Sequence, residues 1–82
     1  MNVERIELHG ELFVTLASAA ACYRVELRWV EEVYASGLLG PGERVGAEVA
    51  LADAELDRLA TIVRWHRHLG LELDVVAALY GR

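Results

Sequence analysis

The chain has no lysine, and its basic residues are outnumbered by acidic ones. Eight arginines stand against thirteen aspartates and glutamates, which leaves a formal net charge of −5. A negative domain repels the phosphate backbone of nucleic acids and is better matched to a basic protein surface. The charge balance therefore makes nucleic acid an unfavourable partner.

Cysteine and long apolar runs are also scarce. Cys22 is the single cysteine, so an intramolecular disulfide is excluded and a reducing compartment is favoured. No apolar run approaches the ~20 residues of a membrane-spanning helix. The opening MNVERIELHG is charged and alternating, unlike a signal peptide. We therefore expect a soluble, cytoplasmic domain that does not enter a membrane.

The sequence patterns of common catalytic and metal sites are missing as well. There is no GxSxG, P-loop, Rossmann fingerprint or Cys–His–acid arrangement. His66 and His68 are two positions apart on a predicted helix, so they point to different sides and cannot share a metal ion. His66 falls within the apolar arc of that helix and is predicted to be partly buried. The sequence predicts a protein that is not an enzyme and needs no cofactor or metal.

What the chain does contain is enough apolar sequence to fold. Hydrophobic residues make up 55% of its 82 positions. This length allows one small domain with a modest core, and no linker, repeat or low-complexity segment divides it. We expect residues 1–82 to form a single α+β domain that is mostly helical, with about four short helices and one or two short strands.

The stretch from Val14 to Pro41 has the pattern of a helix, a tight turn and a second helix. Thr15 can cap the first helix, because its hydroxyl can accept from backbone N–H groups that the first turn leaves unpaired. Arg24 and Val25 leave room for only a brief turn. The apolar residues of the first helix recur at helical spacing and are Leu16, Ala19, Ala20 and Tyr23.

The second helix of this pair is predicted to open at Glu26. Gly37 suits the left-handed residue that ends a helix, and Pro41 prevents the helix from continuing. Its apolar residues form one broad arc and are Leu27, Trp29, Val30, Val33 and Tyr34. Residues 14–41 thus have a helix-turn-helix pattern.

Alternating apolar residues predict two strands outside this pair of helices. Val3 to Leu8 is predicted to be a half-buried strand that ends near Gly10. After the turn cluster Gly40–Gly42, the alternation from Val45 to Leu51 predicts one strand or wing.

Two further helices complete the predicted chain. One begins at Ala52 or Asp53 and ends at Leu69, before Gly70. Its predicted buried face consists of Leu56, Leu59, Ile62, Val63 and Leu69. The last helix runs from Glu72 to Tyr80.

The order of these elements resembles the MerR-type winged-helix superfamily. The resemblance is carried by VTLASAAACYRV, VEEVYASGLLGP, LADAELDRL and VRWHRHLGLELDVVAAL, which together span residues 14–79. It is greatest to the short chaperone modulators of the CbpM type, and factors that assemble DnaK with DnaJ are similar. The resemblance implies a winged-helix domain that binds the J-domain of a DnaJ-type co-chaperone and regulates or assembles the DnaK–DnaJ system.

The chain departs from that family at two places that bear on function. Ala52 stands where MerR-type chains usually have a serine or aspartate cap, so Asp53 is expected to take that role. Arg44 is the only basic residue of the predicted wing, where DNA-binding relatives carry several. A MerR-type DNA-binding regulator, which would use Arg24, Arg28 and Arg44, therefore remains the alternative interpretation.

The charge of the second helix favours a protein partner over DNA, and a face that is merely solvated is the equally open alternative. Its outward face includes Arg28, Glu31 and Glu32, and the two acids would face phosphates if the helix lay in a DNA groove. J-domains present a basic helix, which an acidic module could bind. Trp29 at the rim of the apolar arc is either a core residue or an anchor for that partner.

The last helix has apolar residues on more than one side. Leu73, Val76, Ala77 and Tyr80 would line one side, whereas Val75 and Leu79 lie largely on another. A short chain has difficulty covering both sides. We therefore expect Leu79 and Tyr80 to contact either a partner or a second copy of the chain.

Overall fold

The computed structural model describes residues 5–80, except for the side chain of Tyr80. This part of the chain contains four α-helices and a four-stranded antiparallel sheet, so the α+β class is confirmed. The sheet has more strands than the sequence predicts. The elements in chain order are β1 (Ile6–Leu8), β2 (Glu11–Thr15), α1 (Leu16–Tyr23), α2 (Leu27–Ala35), β3 (Glu43–Val45), β4 (Glu48–Ala52), α3 (Leu56–Leu69) and α4 (Leu73–Tyr80).

The sheet has the strand order β1-β2-β4-β3, with β2 and β4 at its centre. The hairpin β1–β2 pairs Leu8 with Glu11 across a turn in which His9 and Gly10 have φ angles of 54° and 79°. When both residues of a two-residue turn have positive φ angles, the twist of the turn matches the twist of the strands that it connects. The β2–β4 pairing then joins this hairpin to the second one, with Val14 opposite Leu51.

The predicted strands are only partly right. β1 confirms the end of the strand expected over Val3 to Leu8, and residues 3 and 4 lie outside the described part. The sequence pattern did not predict β2, which ends at Thr15 and is followed immediately by α1 at Leu16. Of the strand or wing predicted from Val45 to Leu51, the uninterrupted strand is wrong, because Gly46 (φ 64°) begins a two-residue turn that pairs Val45 with Glu48 in a hairpin. The turn reverses the phase of the alternation, because Val45 pairs with Glu48 and shares its face with Ala50, not with Leu51. The apolar pattern from Val45 to Leu51 is typical of one strand and so does not reveal the hairpin.

The helix-turn-helix pair forms as predicted. The Thr15 hydroxyl accepts a hydrogen bond from the backbone N–H of Ser18 at 3.1 Å, which caps α1. The backbone N–H of Val25 donates to the carbonyl of Ala20 at 3.0 Å and closes the end of α1. Beyond α2, Gly37 has a φ of 84°, the left-handed conformation expected there.

The third helix ends at Leu69 before Gly70 as predicted, but it begins later than predicted, and the burial predicted for Leu69 is wrong. A 3₁₀ turn, Asp53–Glu55, precedes α3, whereas Ala52 belongs to β4. Asp53 makes no capping bond to the helix, because its carboxylate accepts from Arg5 Nε at 2.8 Å. Leu69 was predicted to be buried but is 64% exposed. It is the last residue of α3, and the chain turns away at Gly70 with a φ of 67°.

One apolar core lies between the sheet and the helices. Each of the four helices and both central strands contribute to it, so the sheet does not form a separate layer that could fold alone. The side chains with no measurable exposure are Val14, Val30, Val33, Leu51, Leu59, Ile62 and Val76 among the larger residues. Four of the five leucine, isoleucine and valine residues predicted for the buried face of α3 are confirmed, and Leu69 is the exception.

Candidate functional site

The second helix is divided into a buried face and a charged face. Val30 and Val33 are buried in the core, whereas Arg28, Glu31 and Glu32 are exposed as predicted. Burial of the apolar face in the core holds α2 against α1 and leaves both carboxylates in solvent. Leu27, which was assigned to the apolar arc, is instead 41% exposed at the first position of the helix.

The two carboxylates of α2 border different depressions of the surface. Glu31 lies beside Arg44 and Leu27 in a cavity of about 280 Å³ between α2 and the β3–β4 hairpin. Glu32 lies in a larger cavity of about 500 Å³ on the α3 side. A partner that contacts both Glu31 and Glu32 must therefore extend over the exposed surface of α2 between the two cavities.

We call the larger cavity the α2–α3 groove. The α1–α2 turn and α2 contribute most of its wall, and α3 contributes the remainder. The residues from the first two elements are Arg24, Val25, Glu26, Arg28, Trp29 and Glu32, and those from α3 are His66 and Arg67. Arg28, Trp29 and Glu32, which were predicted to bind a partner, thus share one groove.

Two aromatic rings line the α2–α3 groove. The rings of Trp29 and His66 stack with their centroids 4.9 Å apart and an angle of 26° between their planes. The Nδ1 atom of His66 lies 2.8 Å from the carbonyl oxygen of Leu71. Because a carbonyl can only accept, this contact requires the hydrogen on Nδ1. The hydrogen bond confirms that His66 is a partly buried histidine with a partner.

The indole N–H of Trp29 is a polar group without an acceptor. Among the described residues it is the one buried side-chain nitrogen or oxygen atom that lacks a hydrogen-bond partner. Leaving a buried donor unpaired costs about 1–3 kcal/mol. Trp29 is half-buried against the core, so it is both a core residue and part of the groove wall.

The end of α1 supplies a second unusual feature of the groove. Arg24 has a φ of 57°, in the left-handed region where glycine usually ends a helix. An ordinary side chain in this conformation costs about 1–2 kcal/mol. Arg67 stabilises this turn, because its Nη2 donates to the carbonyl oxygens of Tyr23 at 2.8 Å and Arg24 at 2.9 Å.

Oppositely charged side chains line the groove without neutralising one another. Arg24, Arg28 and Arg67 supply three guanidinium groups, and Glu26 and Glu32 supply two carboxylates. Within residues 5–80, these five side chains make no ion pair with one another at 4.0 Å or less. Their charges remain available to a ligand.

The structure separates the three arginines of the DNA-binding alternative. Arg24 and Arg28 line the α2–α3 groove, whereas Arg44 lies on the hairpin side of α2. Arg44 shares its cavity with Glu31 and Glu48. A phosphate approaching Arg44 would therefore meet two carboxylates.

The fourth helix has an apolar surface that the described residues leave uncovered. Val76 is fully buried, but Val75 is 41% exposed and Leu79 is 54% exposed. Leu69, the last residue of α3, is also exposed. The side chain of Tyr80, which was predicted to join Leu79 in a contact, lies outside the described residues.

The pKa of Tyr23 is raised above the usual value for a tyrosine. The hydroxyl of Tyr23 donates to the carbonyl oxygen of Leu56 at 3.2 Å. Burial raises the pKa of Tyr23, and the nearby Cys22, Asp57 and Asp53 add to the increase. The hydrogen bond from this hydroxyl joins α1 to the start of α3, the helix that contributes His66 and Arg67 to the groove.

The described part of the chain has neither a cluster of metal-binding side chains nor a membrane-spanning helix. Residues 5–80 contain no group of three or more His, Cys, Asp and Glu side chains that could hold a metal ion. The same part contains no helix that is both long and apolar enough to cross a bilayer.

The sequence did not single out His66 and Arg67 as site residues. Both lie on α3, far along the chain from Trp29 and Arg24, which they contact. The only local signal was the position of His66 within an apolar arc. That signal predicts burial but does not identify the neighbouring side chain.

Comparison of the chain with protein-family models, curated proteins and solved structures gives no match.

Proposed function

We propose that this protein is a non-enzymatic binding module whose partner is the J-domain of a DnaJ-type co-chaperone. In this role it regulates or assembles the DnaK–DnaJ system in the cytoplasm. The observation that carries the proposal is the exposed acidic pair on α2. Glu31 and Glu32 are exposed and have no ion-pair partner within residues 5–80, and Glu32 lines the same groove as Trp29.

The order of elements supports a winged-helix interpretation. α1 and α2 form a helix-turn-helix pair, and the β3–β4 hairpin follows at the position of a wing. α3 and α4 then correspond to the helices that the resemblance to CbpM-type modulators places after the wing. In this interpretation α2 occupies the position of a DNA-reading helix but presents carboxylates.

Electrostatics explains why a basic helix is the preferred partner. The protein has a net charge of −5, so its field attracts a cationic surface over the Debye length of ~8 Å at physiological salt. Arg28 is the one positive side chain among the predicted contact residues of α2. Each exposed ion pair contributes only ~0.2–1 kcal/mol, so attraction depends on the two acids acting together.

Charge reversal of the acidic pair tests the proposal. The double variant Glu31→Arg with Glu32→Arg replaces two attractions by two repulsions and should weaken J-domain binding roughly tenfold at low salt. The difference should diminish as salt rises, because exposed charges are screened. Isothermal titration calorimetry of the variant against a J-domain at several salt concentrations measures both effects.

A matched control separates local contact from overall charge. Glu7 and Glu11 are exposed on β1 and β2, and reversing both changes the net charge by the same amount. This control should retain most of the affinity. Unchanged affinity of the α2 variant at low salt, or equal losses in both double variants, would contradict docking on α2.

The alternative is a MerR-type DNA-binding regulator. The observation in its favour is that Arg24 and Arg28 lie in one groove at the start of α2. Micromolar or tighter binding to a defined duplex, with a steep decrease as salt rises, would favour this alternative. A stable complex with a J-domain and no such duplex binding would favour the chaperone role.

Association through α4 is a further part of the proposal. Leu79 is 54% exposed and lies far from the charged face of α2 in sequence. It serves either a second copy of the chain or the same partner. Sedimentation of the isolated protein, together with partner binding by Leu79→Glu, distinguishes these two roles.

A further inference from the structure

Three of the eight arginines of this acidic protein converge on one groove. Arg24 and Arg67 come from the two sides of the α1–α3 contact, and Arg28 comes from the first turn of α2. Arg24 and Arg28 have no ion-pair partner within residues 5–80. With Glu26 and Glu32 also in its wall, the groove has a surplus of one positive charge in a protein of net charge −5.

The groove also holds one guanidinium in a fixed position. The Nη2 of Arg67 donates to two backbone carbonyls at 2.8 and 2.9 Å. These bonds orient the guanidinium plane and leave its other N–H groups to donate elsewhere. A fixed guanidinium loses less conformational entropy when it binds a ligand than a mobile one does.

The aromatic wall of the groove suits a ligand with an apolar body. Trp29 and His66 stack there, and the indole N–H of Trp29 lacks an acceptor. Tryptophan and arginine are the residue types that most often dominate the binding energy of protein interfaces. The cavity of about 500 Å³ is within the range of sites that bury a small ligand or a short peptide segment.

We infer that the α2–α3 groove binds a carboxylate-bearing segment of a polypeptide. A carboxylate matches the planar fork of a guanidinium and can accept two parallel hydrogen bonds from Arg24 or Arg28. The Nη2 of Arg67 already donates to two backbone carbonyls, so Arg67 adds single hydrogen bonds and charge. Phosphate polymers fit less well, because Glu26 and Glu32 line the same groove and repel each added negative charge. This site shares Arg28, Trp29 and Glu32 with the predicted partner surface of α2, but its ligand is acidic, whereas the proposed function uses the carboxylates of α2 and a basic partner.

A capped peptide of alternating aspartate and leucine is the probe, and its counterpart with asparagine in place of aspartate is the neutral comparison. Calorimetric titration of the intact protein should show that the aspartate peptide binds at least about fivefold more tightly, because exposed ion pairs are individually weak. The double variant Arg24→Gln with Arg28→Gln should lose about tenfold in affinity for that peptide.

Two single variants make the test specific to the groove. Glu26→Gln removes a groove carboxylate that makes no capping bond to α2, so it should strengthen binding of the aspartate peptide about twofold or more. Arg64→Gln is the matched control, because Arg64 is exposed on α3 but does not line the groove. A purely structural role of these side chains would not produce changes of opposite sign.

Several outcomes would overturn the inference. These are no binding of the aspartate peptide, equal binding of the two peptides, or an equal loss in Arg64→Gln. Tighter binding of inorganic phosphate or of a single-stranded oligonucleotide would also overturn it, since the groove would then favour phosphate. Failure here leaves the charge-reversal test on Glu31 and Glu32 unaffected, so the two proposals are judged separately.

Discussion

Leu59 and Leu69 offer a direct test of how the core is formed. Both are leucines on α3, and the helical spacing of apolar residues predicts that both are buried. In the structure Leu59 has no measurable exposure, whereas Leu69 is 64% exposed. Changing each to alanine removes the same atoms from the same helix, so the comparison isolates the effect of burial.

The expected magnitudes differ by several kcal/mol. Removal of a buried leucine side chain costs about 2–5 kcal/mol, which includes the lost transfer free energy and the cavity left behind. A domain of 82 residues has a total unfolding free energy of roughly 4–12 kcal/mol. Leu59→Ala should therefore remove a large fraction of the stability. Leu69→Ala should change it by less than about 0.5 kcal/mol.

Urea denaturation followed by far-ultraviolet circular dichroism measures both free energies of unfolding. With a slope of about 1–3 kcal/mol/M for a small protein, Leu59→Ala should move the midpoint downward by roughly 1 M or more. Thermal unfolding should show a decrease of about 4–8 °C for each kcal/mol lost. Similar losses in the two variants would refute the reasoning, because they would mean that Leu69 is covered in solution.

Two further predictions concern a close approach in the sheet and the titration of a tyrosine. A Cβ atom at Gly42 would lie 2.7 Å from Val49 Cγ1 and 2.8 Å from the carbonyl oxygen of Ala50, so Gly42→Ala should destabilise the fold by about 1–3 kcal/mol. Unchanged unfolding in urea would contradict this steric argument. Because burial raises the pKa of Tyr23 above its unfolded value of about 10, the stability contribution of its phenol is complete below that pH and is lost as pH rises through the folded-state pKa. Tyr23→Phe should therefore lose less stability than the natural protein above pH ~10, and parallel pH profiles of unfolding would contradict this.

The two proposed sites overlap on one helix. Glu31 borders the β3–β4 hairpin, whereas Arg28 and Glu32 both line the α2–α3 groove. If both proposals hold, the Glu31 side of α2 contacts a basic partner while the groove holds an acidic segment. Two weak contacts on one rigid helix strengthen each other through effective concentration, which is a property that an assembly factor requires.

The sequence by itself determined the local structure of the helices. Thr15 caps α1, Gly37 adopts the left-handed conformation after α2, and α2 buries Val30 while exposing its charged side. These features depend on residues within a few positions of one another. Steric limits on φ and the hydrogen-bonding needs of helix ends act over the same short distance, so local sequence is sufficient to predict them.

Only the tertiary structure decided the sheet and the α2–α3 groove. β2 is a strand because it pairs with β1 and β4, and the stack of Trp29 on His66 joins two helices that are distant in sequence. Leu69 has the same helical spacing as buried residues, yet it is exposed because α3 ends there. Periodicity shows which side of an element is apolar, but contact between elements depends on how they pack. Burial and the assembly of a site are therefore properties of the whole fold.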